Sequence, residues 1–213
     1  MKSFINISVI GAGLMGHGIA LKFAQFGKSI TVHDTNLENL NSLPKRIKSS
    51  MKQMGVSNLE INKTLKFIKV SSDLKKSVAN ADFVIEAIPE KLELKQKMFS
   101  SIEGFVSPKC IISSNTSVIP ITKIVDKVKD KSRCLGTHWW NPPHLIPLVE
   151  VIKTRWTKEI VINSVMELLK KIEKTPVRVE KDIPGFIGNR LQHALWREAI
   201  SLVENNVCDA KSV

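Results

Sequence analysis

The chain has little of what an exported or membrane-embedded protein needs. Its three cysteines, Cys110, Cys134 and Cys208, are odd in number, widely separated and never in a C-x-x-C arrangement. That excludes a disulfide framework and predicts reduced thiols, so a cytoplasmic setting is expected. No stretch approaches the roughly 18 consecutive apolar residues of a membrane span. The first apolar run carries Asn6 and Ser8 and passes straight into a glycine turn, unlike a secretory signal. No His/Cys/Asp cluster suggests a metal: His33 ends a strand, His144 and His193 have no partner at metal spacing, and His17 reads as a surface residue over a glycine turn. Internal repeats and low-complexity segments are absent as well. Acidic residues are few beside basic ones, 20 against 32, for a formal net charge of +12. The lysines are nevertheless scattered, without a long basic block or interleaved aromatics, so nucleic-acid binding is not expected. Solvated lysine-rich faces explain most of the excess, and attraction of an anionic substrate suits the rest.

What is present is a glycine-punctuated strand-to-helix junction. An apolar run over 5–10 stops at Gly11, and Gly13 and Gly16 complete G-x-G-x-x-G. Leu14, Met15, Ile19, Ala20 and Phe23 then recur at helical spacing. In that context Gly11 permits the tight turn and Gly13 the approach of backbone N–H groups to a pyrophosphate. Gly16 permits close helix–strand packing, and the helix's positive end faces the phosphates. Asp34 ends the next strand, 29–33, at the distance where a carboxylate accepts hydrogen bonds from an adenosine ribose and repels a 2′-phosphate. NAD is therefore expected rather than NADP, against the alternative of an ordinary turn aspartate.

With 213 residues, 43% hydrophobic and 24% charged, the chain has room for one α/β domain and part of another. Helical regions are expected over 37–54, with Pro44 as a break or first turn, then 57–65, 73–78, 92–105, 119–128 and 158–173. Strands are expected over 67–70, 82–88, 110–114, 133–137, 148–152 and 176–179. This alternation predicts a doubly wound, mostly parallel sheet over residues 1–184. Past Pro184–Gly185 comes one amphipathic helix, 191–207, and residues 185–213 are expected to open a second, helical domain.

Oxidising a secondary alcohol with NAD needs a base for the hydroxyl proton while hydride leaves carbon. His138 ends a strand at the carboxyl edge of the sheet, where ligands bind in such folds. Glu150 lies in the following strand, placed to orient the imidazole and stabilise an imidazolium. The competing readings are a structural loop histidine and an edge-strand carboxylate.

Five stretches, GAGLMGHGIA, ADFVIEAIPEKLELK, SNTS, GTHWWNPPHLIPLVEV and PGFIGNR, occur in an order and spacing that resemble the NAD-binding domain of the L-3-hydroxyacyl-CoA dehydrogenase family. The resemblance covers nearly the whole chain and implies interconversion of an L-3-hydroxyacyl-CoA and its 3-keto form. It implies His138 and Glu150 as the catalytic pair, Ser117 bonding the substrate oxygen and Asn189 polarising its carbonyl. It further implies Gly11, Gly13, Leu14, Met15, Gly16, Asp34, Glu90, Lys95 and Asn141 on the cofactor, the last three at its nicotinamide side. Against these stand plainer roles: an ST-turn for Ser117, a helix cap for Asn189, a pre-proline turn for Asn141, and solvated charges for Glu90 and Lys95.

Three departures from the family pattern qualify it. The segment between Asp34 and the 82–88 strand is short, so Ser50 and Lys52 are only candidates for gripping CoA. Trp139 and Trp140 replace expected phenylalanines beside the cofactor, and the NPPH loop differs. The phrase NPPHLIPLVE with NRLQHALWREA is similar to relatives that oxidise small hydroxy acids, the L-gulonate and carnitine dehydrogenases. Finally, the chain ends just inside the helical domain that carries the family's dimer contact, so a homodimer is expected only if that domain is supplied. A non-catalytic NAD-holding fragment is the rival expectation.

Overall fold

The computed structural model describes residues 4–213. Eight strands are formed: β1 (Asn6–Ile10), β2 (Ser29–His33), β3 (Ile68–Ser71), β4 (Phe83–Glu86), β5 (Ile111–Ser114), β6 (Cys134–Trp139), β7 (Leu148–Ile152) and β8 (Thr175–Val179). They make one sheet in the order β3-β2-β1-β4-β5-β6-β7-β8. Every pairing is parallel except β6 with β7. The order reverses direction between β1 and β4, and a crevice opens there at the strands' carboxyl ends.

Eight helices connect and cover the sheet: α1 (Leu14–Gln25), α2 (Leu37–Gln53), α3 (Asn58–Leu65), α4 (Leu74–Val78), α5 (Leu92–Glu103), α6 (Ile121–Ile124), α7 (Glu159–Lys171) and α8 (Gly188–Glu204). Alternating strand residues serve two cores, because successive side chains point to opposite faces. Ile7, Val9, Phe83, Ile85 and Leu135 pack with Phe23 of α1, Ile47 of α2 and Leu169 of α7. Ile10, Val84, Ile112 and Cys134 pack on the other face with Phe99 of α5 and Ile121 of α6. This is the expected doubly wound α/β architecture.

Two local expectations are corrected. Pro44 neither breaks nor begins a helix: α2 runs through it. The proline is exposed, and the adjacent stripe of Leu40, Leu43, Ile47 and Met51 stays buried and holds the helix in the core. The helix expected over 119–128 is only the single turn α6. Pro120 precedes it, and the Ile121 and Thr122 N–H groups are taken by the Asp182 carboxylate at 2.9 and 2.6 Å. At the far end α8 starts earlier than expected, at Gly188, and none of its residues is buried.

Candidate active site

The crevice above β1 and β4 is a cavity of about 480 Å³, walled by Gly11, Gly13, Leu14, Met15, Ala87 and Ile88, with Asp34 at one end. Its floor depends on missing side chains. Gly11 has φ +107°, and a Cβ there would lie 2.5 Å from the Ala87 carbonyl oxygen. A Cβ on Gly16 would lie 1.7 Å from the Gly11 oxygen, so only glycine lets α1 start this close to β1. A Cβ on Gly13 would meet nothing within 4 Å: the space above it is open. Gly13 caps α1 without a side-chain acceptor, and no acidic residue stands in the first turn. The free N–H groups of that turn therefore suit a pyrophosphate.

Asp34 is held firmly. One oxygen accepts from the Ala12 N–H at 2.8 Å and from Asn39 Nδ2 at 3.2 Å, the other from the Asn36 N–H at 2.8 Å. A carboxylate has about four acceptor positions, so about one is left for a ribose hydroxyl. Arg46, which the sequence reading missed, reaches from α2 to the carbonyl oxygens of Ala12, Gly13 (3.3 Å) and Asn39 (2.9 Å), clamping the glycine turn from behind.

Glu90 and Lys95 belong to one ion-paired network. Lys95 is fully buried, and its ammonium meets Glu86 at 2.6 Å, the Ile88 carbonyl at 3.2 Å and Glu90 at 3.2 Å. An ammonium has three protons, so in place of the expected cofactor contact Lys95 braces Glu90. The other Glu90 oxygen accepts from Thr116 Oγ1 and from the N–H groups of Ser117 (3.0 Å) and Val118 (3.2 Å). Burial pushes the Glu90 carboxyl up, but Thr116 and Lys95 outweigh it and hold it below its ordinary value. Burial dominates for Glu86 and raises it, despite Lys95 and the Ser114 hydroxyl at 2.6 Å. A lone glutamate in the apolar DFVIEAI run signals such a buried partner, because an unpaired charge there is prohibitively costly.

His138 and Glu150 are direct register partners across the antiparallel β6–β7 pair, so their side chains share a face. Nδ1 of His138 lies 2.6 Å from Glu150 Oε2. The other Glu150 oxygen accepts from the N–H groups of Ile187 at 2.8 Å and Gly188 at 3.0 Å, at the start of α8. Burial raises the Glu150 carboxyl, and the bonds from His138, Gly188 and Ile187 reverse this, leaving it below the ordinary carboxylate value. Among the described residues nothing bonds His138 Nε2. The imidazole is flanked by Trp140 and Phe186, with ring centroids 5.3 and 5.7 Å away. A ring nitrogen facing the Glu150 carboxylate and a second one without a partner is what a general base requires.

Asn189 Nδ2 donates to the Ser117 carbonyl at 2.9 Å, joining α8 to the turn after β5. Among the described residues, the second amide proton of Asn189 and the Ser117 hydroxyl have no partner. Asn141 is exposed, just past Trp140, and precedes a cis peptide to Pro142. The remaining expectations do not hold. His17 is buried, with Nδ1 2.7 Å from the Leu14 carbonyl and Nε2 3.3 Å from Ser50 Oγ. Ser50 is thereby turned inward, while Lys52 points to solvent, so the two do not form a common grip. Trp139 packs on Phe23 beneath α1, away from His138, because adjacent strand residues face opposite ways. No group of three possible metal ligands exists among the described residues, and no helix is long and apolar enough to cross a membrane.

A glycine-floored crevice at a strand-order reversal, with a carboxylate-held histidine on β6, is an arrangement that suits an NAD-binding oxidoreductase of the doubly wound class. Residues 6–183 match the family described as 3-hydroxyacyl-CoA dehydrogenase, NAD binding domain. The chain belongs to this family of NAD-dependent enzymes. It is 34% identical over 211 residues to 5-formyl-3-hydroxy-2-methylpyridine 4-carboxylate 5-dehydrogenase of Mesorhizobium japonicum, covering 98% of this chain and 68% of that one. It is 37% identical over 208 residues to rat mitochondrial hydroxyacyl-coenzyme A dehydrogenase, covering 93% and 66%. The crystal structure of M. tuberculosis FadB2 superposes with a TM-score of 0.94 at 30% identity, covering all of this chain and 76% of that one. The chain thus spans about two thirds of the length of these two curated relatives.

Proposed function

We propose that the protein is an NAD-dependent dehydrogenase that interconverts a 3-hydroxy and a 3-oxo acyl compound, with His138 as the proton-transfer group. The observation that carries this reading is the 2.6 Å pairing of His138 Nδ1 with a buried carboxylate while Nε2 stays without a protein partner. When bound, NAD accepts the hydride in the oxidative direction and NADH returns it in the other. The chain's own residues handle the proton. His138 Nε2 takes it from the hydroxyl, and Glu150 stabilises the imidazolium that forms. Glu150 does so without reorganising, because two backbone N–H groups already fix its second oxygen. The Ser117 hydroxyl and the free Asn189 amide proton are the donors for the substrate oxygens. Gly11, Gly13, Gly16 and the first turn of α1, with Leu14 and Met15 as walls, hold the pyrophosphate side. Asp34 holds the adenosine ribose, and Glu90, Lys95 and Asn141 form the nicotinamide side, Lys95 acting through Glu90.

The relatives' names support either of two substrate forms. The rat protein is named for a hydroxyacyl-CoA and the Mesorhizobium protein for a pyridine carboxylate. The test is consumption of NADH with acetoacetyl-CoA and with free 3-oxo acids, using the full chain. Turnover reduced about 10²–10⁴-fold by His138→Gln is expected. NADH binding without turnover on any of them contradicts the reading and leaves a cofactor-holding domain.

A further inference from the structure

Beyond Ser117 and Asn189 a second cavity of about 430 Å³ runs along α8, lined by Val118, Gly185, Asn189, Arg190, His193 and Arg197. Arg190, His193 and Arg197 recur at helical spacing on one face. Among the described residues, none of these three side chains forms an ion pair or hydrogen bond, so three cationic or basic groups face one groove without an acidic partner. Glu204 on that face lines the adjoining hollow with Trp196 and Ile200, and the Glu90 carboxylate behind Val118 is engaged by Lys95, Thr116 and the N–H groups of Ser117 and Val118. The opposite wall is apolar, Val118 and Pro184.

The position of the groove is set by the same bonds that set the catalytic pair. Glu150 holds the N–H groups of Ile187 and Gly188, Asn189 holds the Ser117 carbonyl, and Trp140 packs against Gly188. At about 1.5 Å of rise per residue, His193 lies about 6 Å and Arg197 about 12 Å along the helix from Asn189. A long guanidinium side chain spans much of that return distance. A thioester carbonyl is uncharged, and the phosphates of coenzyme A lie a whole pantetheine arm from the reacting carbon. A cluster of guanidinium forks this close to the reacting end matches a carboxylate on the substrate itself, which arginine takes in paired hydrogen bonds.

Building on the dehydrogenase reading above, we propose that Arg190, His193 and Arg197 bind the carboxylate of a free 3-hydroxy or 3-oxo acid, which makes this protein a hydroxy-acid rather than an acyl-CoA dehydrogenase. The test uses the full chain with NADH and three forms of the same probe: acetoacetate, methyl acetoacetate and acetoacetyl-CoA, repeated with the eight-carbon 3-oxo series. Initial rates are read from NADH loss, and binding from the part of the tryptophan fluorescence change that is lost in Trp196→Phe, since the Trp196 indole stacks on His193 with centroids 5.5 Å apart. The acid is expected to exceed its ester in kcat/KM by about tenfold or more. Arg197→Gln is expected to collapse that ratio towards one, mainly through KM, and Arg197→Lys to restore part of it. An ester handled as well as its acid, or an Arg197→Gln loss confined to the CoA thioester, overturns the proposal. Persistence of the acid preference when His138→Gln leaves the rate intact would sink the proton-transfer reading and spare the groove. In the absence of any turnover, acid binding that is lost in Arg197→Gln and not shared by the ester supports the proposal, and equal or no binding of both refutes it.

Discussion

His138 and Glu150 form a unit because one residue on each strand of an antiparallel pair projects to the same face, and because both oxygens of the carboxylate are in use. Glu150→Gln keeps the shape but not the charge. It is expected to lower the rate of NADH oxidation by 3-oxo substrates about 10²–10⁴-fold, with little change in NADH affinity, since the carboxylate lies outside the cofactor crevice. The same residue shapes acid stability. Its carboxyl in the fold is below the ordinary value, so the unfolded chain binds the proton first as pH falls. The stabilisation is complete above the ordinary carboxylate range and is lost as pH drops through the lowered folded value. Urea midpoints measured from neutral pH downward should fall for the wild type more steeply than for Glu150→Gln; parallel curves would contradict the assignment. Lys174 gives the opposite limb. Its ammonium bonds the Pro143 and Ile146 carbonyls at 2.7 and 2.6 Å, tying down the loop between His138 and Glu150. Burial and Lys22 lower it to about 8. A neutral amine still has two protons for those two carbonyls, so losing the third removes the burial cost and no bond. Stability relative to Lys174→Met should therefore rise between about pH 8 and the ordinary lysine value, and a fall over that range would be inconsistent with it.

The elements that matter most are α1 and the start of α8, and each depends on a glycine at its first turn. A Cβ on Gly16 meets backbone at 1.7 Å, which no side-chain movement relieves. Gly16→Ala is expected to push α1 off β1 and abolish NADH binding in a titration; retained affinity would contradict the packing described. A Cβ on Gly188 meets the Trp140 ring at 2.2 Å. That ring sits in turn against His138, so Gly188→Ala should disturb both the indole and the Glu150–α8 bonds, lowering kcat while NADH affinity holds. Loss of cofactor affinity and activity together would point to general unfolding instead. The glycine turn, the strand alternation and the His138–Glu150 pairing were legible in the sequence because each is written in local pattern or adjacent strands. The brief α6 was not, because the carboxylate that takes its first N–H groups, Asp182, lies about sixty residues downstream. Pro44 misled because a proline on a solvated face tolerates a helix that its buried neighbours enforce.

At the scale of the whole molecule, the sheet's reversal places the cofactor crevice, and the antiparallel β6 and β7 carry the His138–Glu150 pair proposed for proton transfer. Lys95 shows where residue-by-residue reading stops. Its motif was visible, but that all three protons would turn inward to Glu86, Glu90 and a carbonyl follows only from the packed sheet and α5. Asp34 was expected at the end of β2 facing a ribose; it lines the cavity, while its local donors Ala12, Asn36 and Asn39 were not foreseen. Since about one acceptor position remains, Asp34→Ala should weaken NADH binding about tenfold or more and shrink the preference over NADPH; an unchanged ratio of the two would argue against its facing the ribose. Proton transfer through His138 depends on which of its nitrogens carries the proton. Nitrogen-15 NMR of the neutral ring measures that most directly. Protonated Nδ1 with a bare Nε2 is predicted, shifting towards a tautomer mixture in Glu150→Gln, whereas a protonated Nε2 in the wild type would contradict the mechanism.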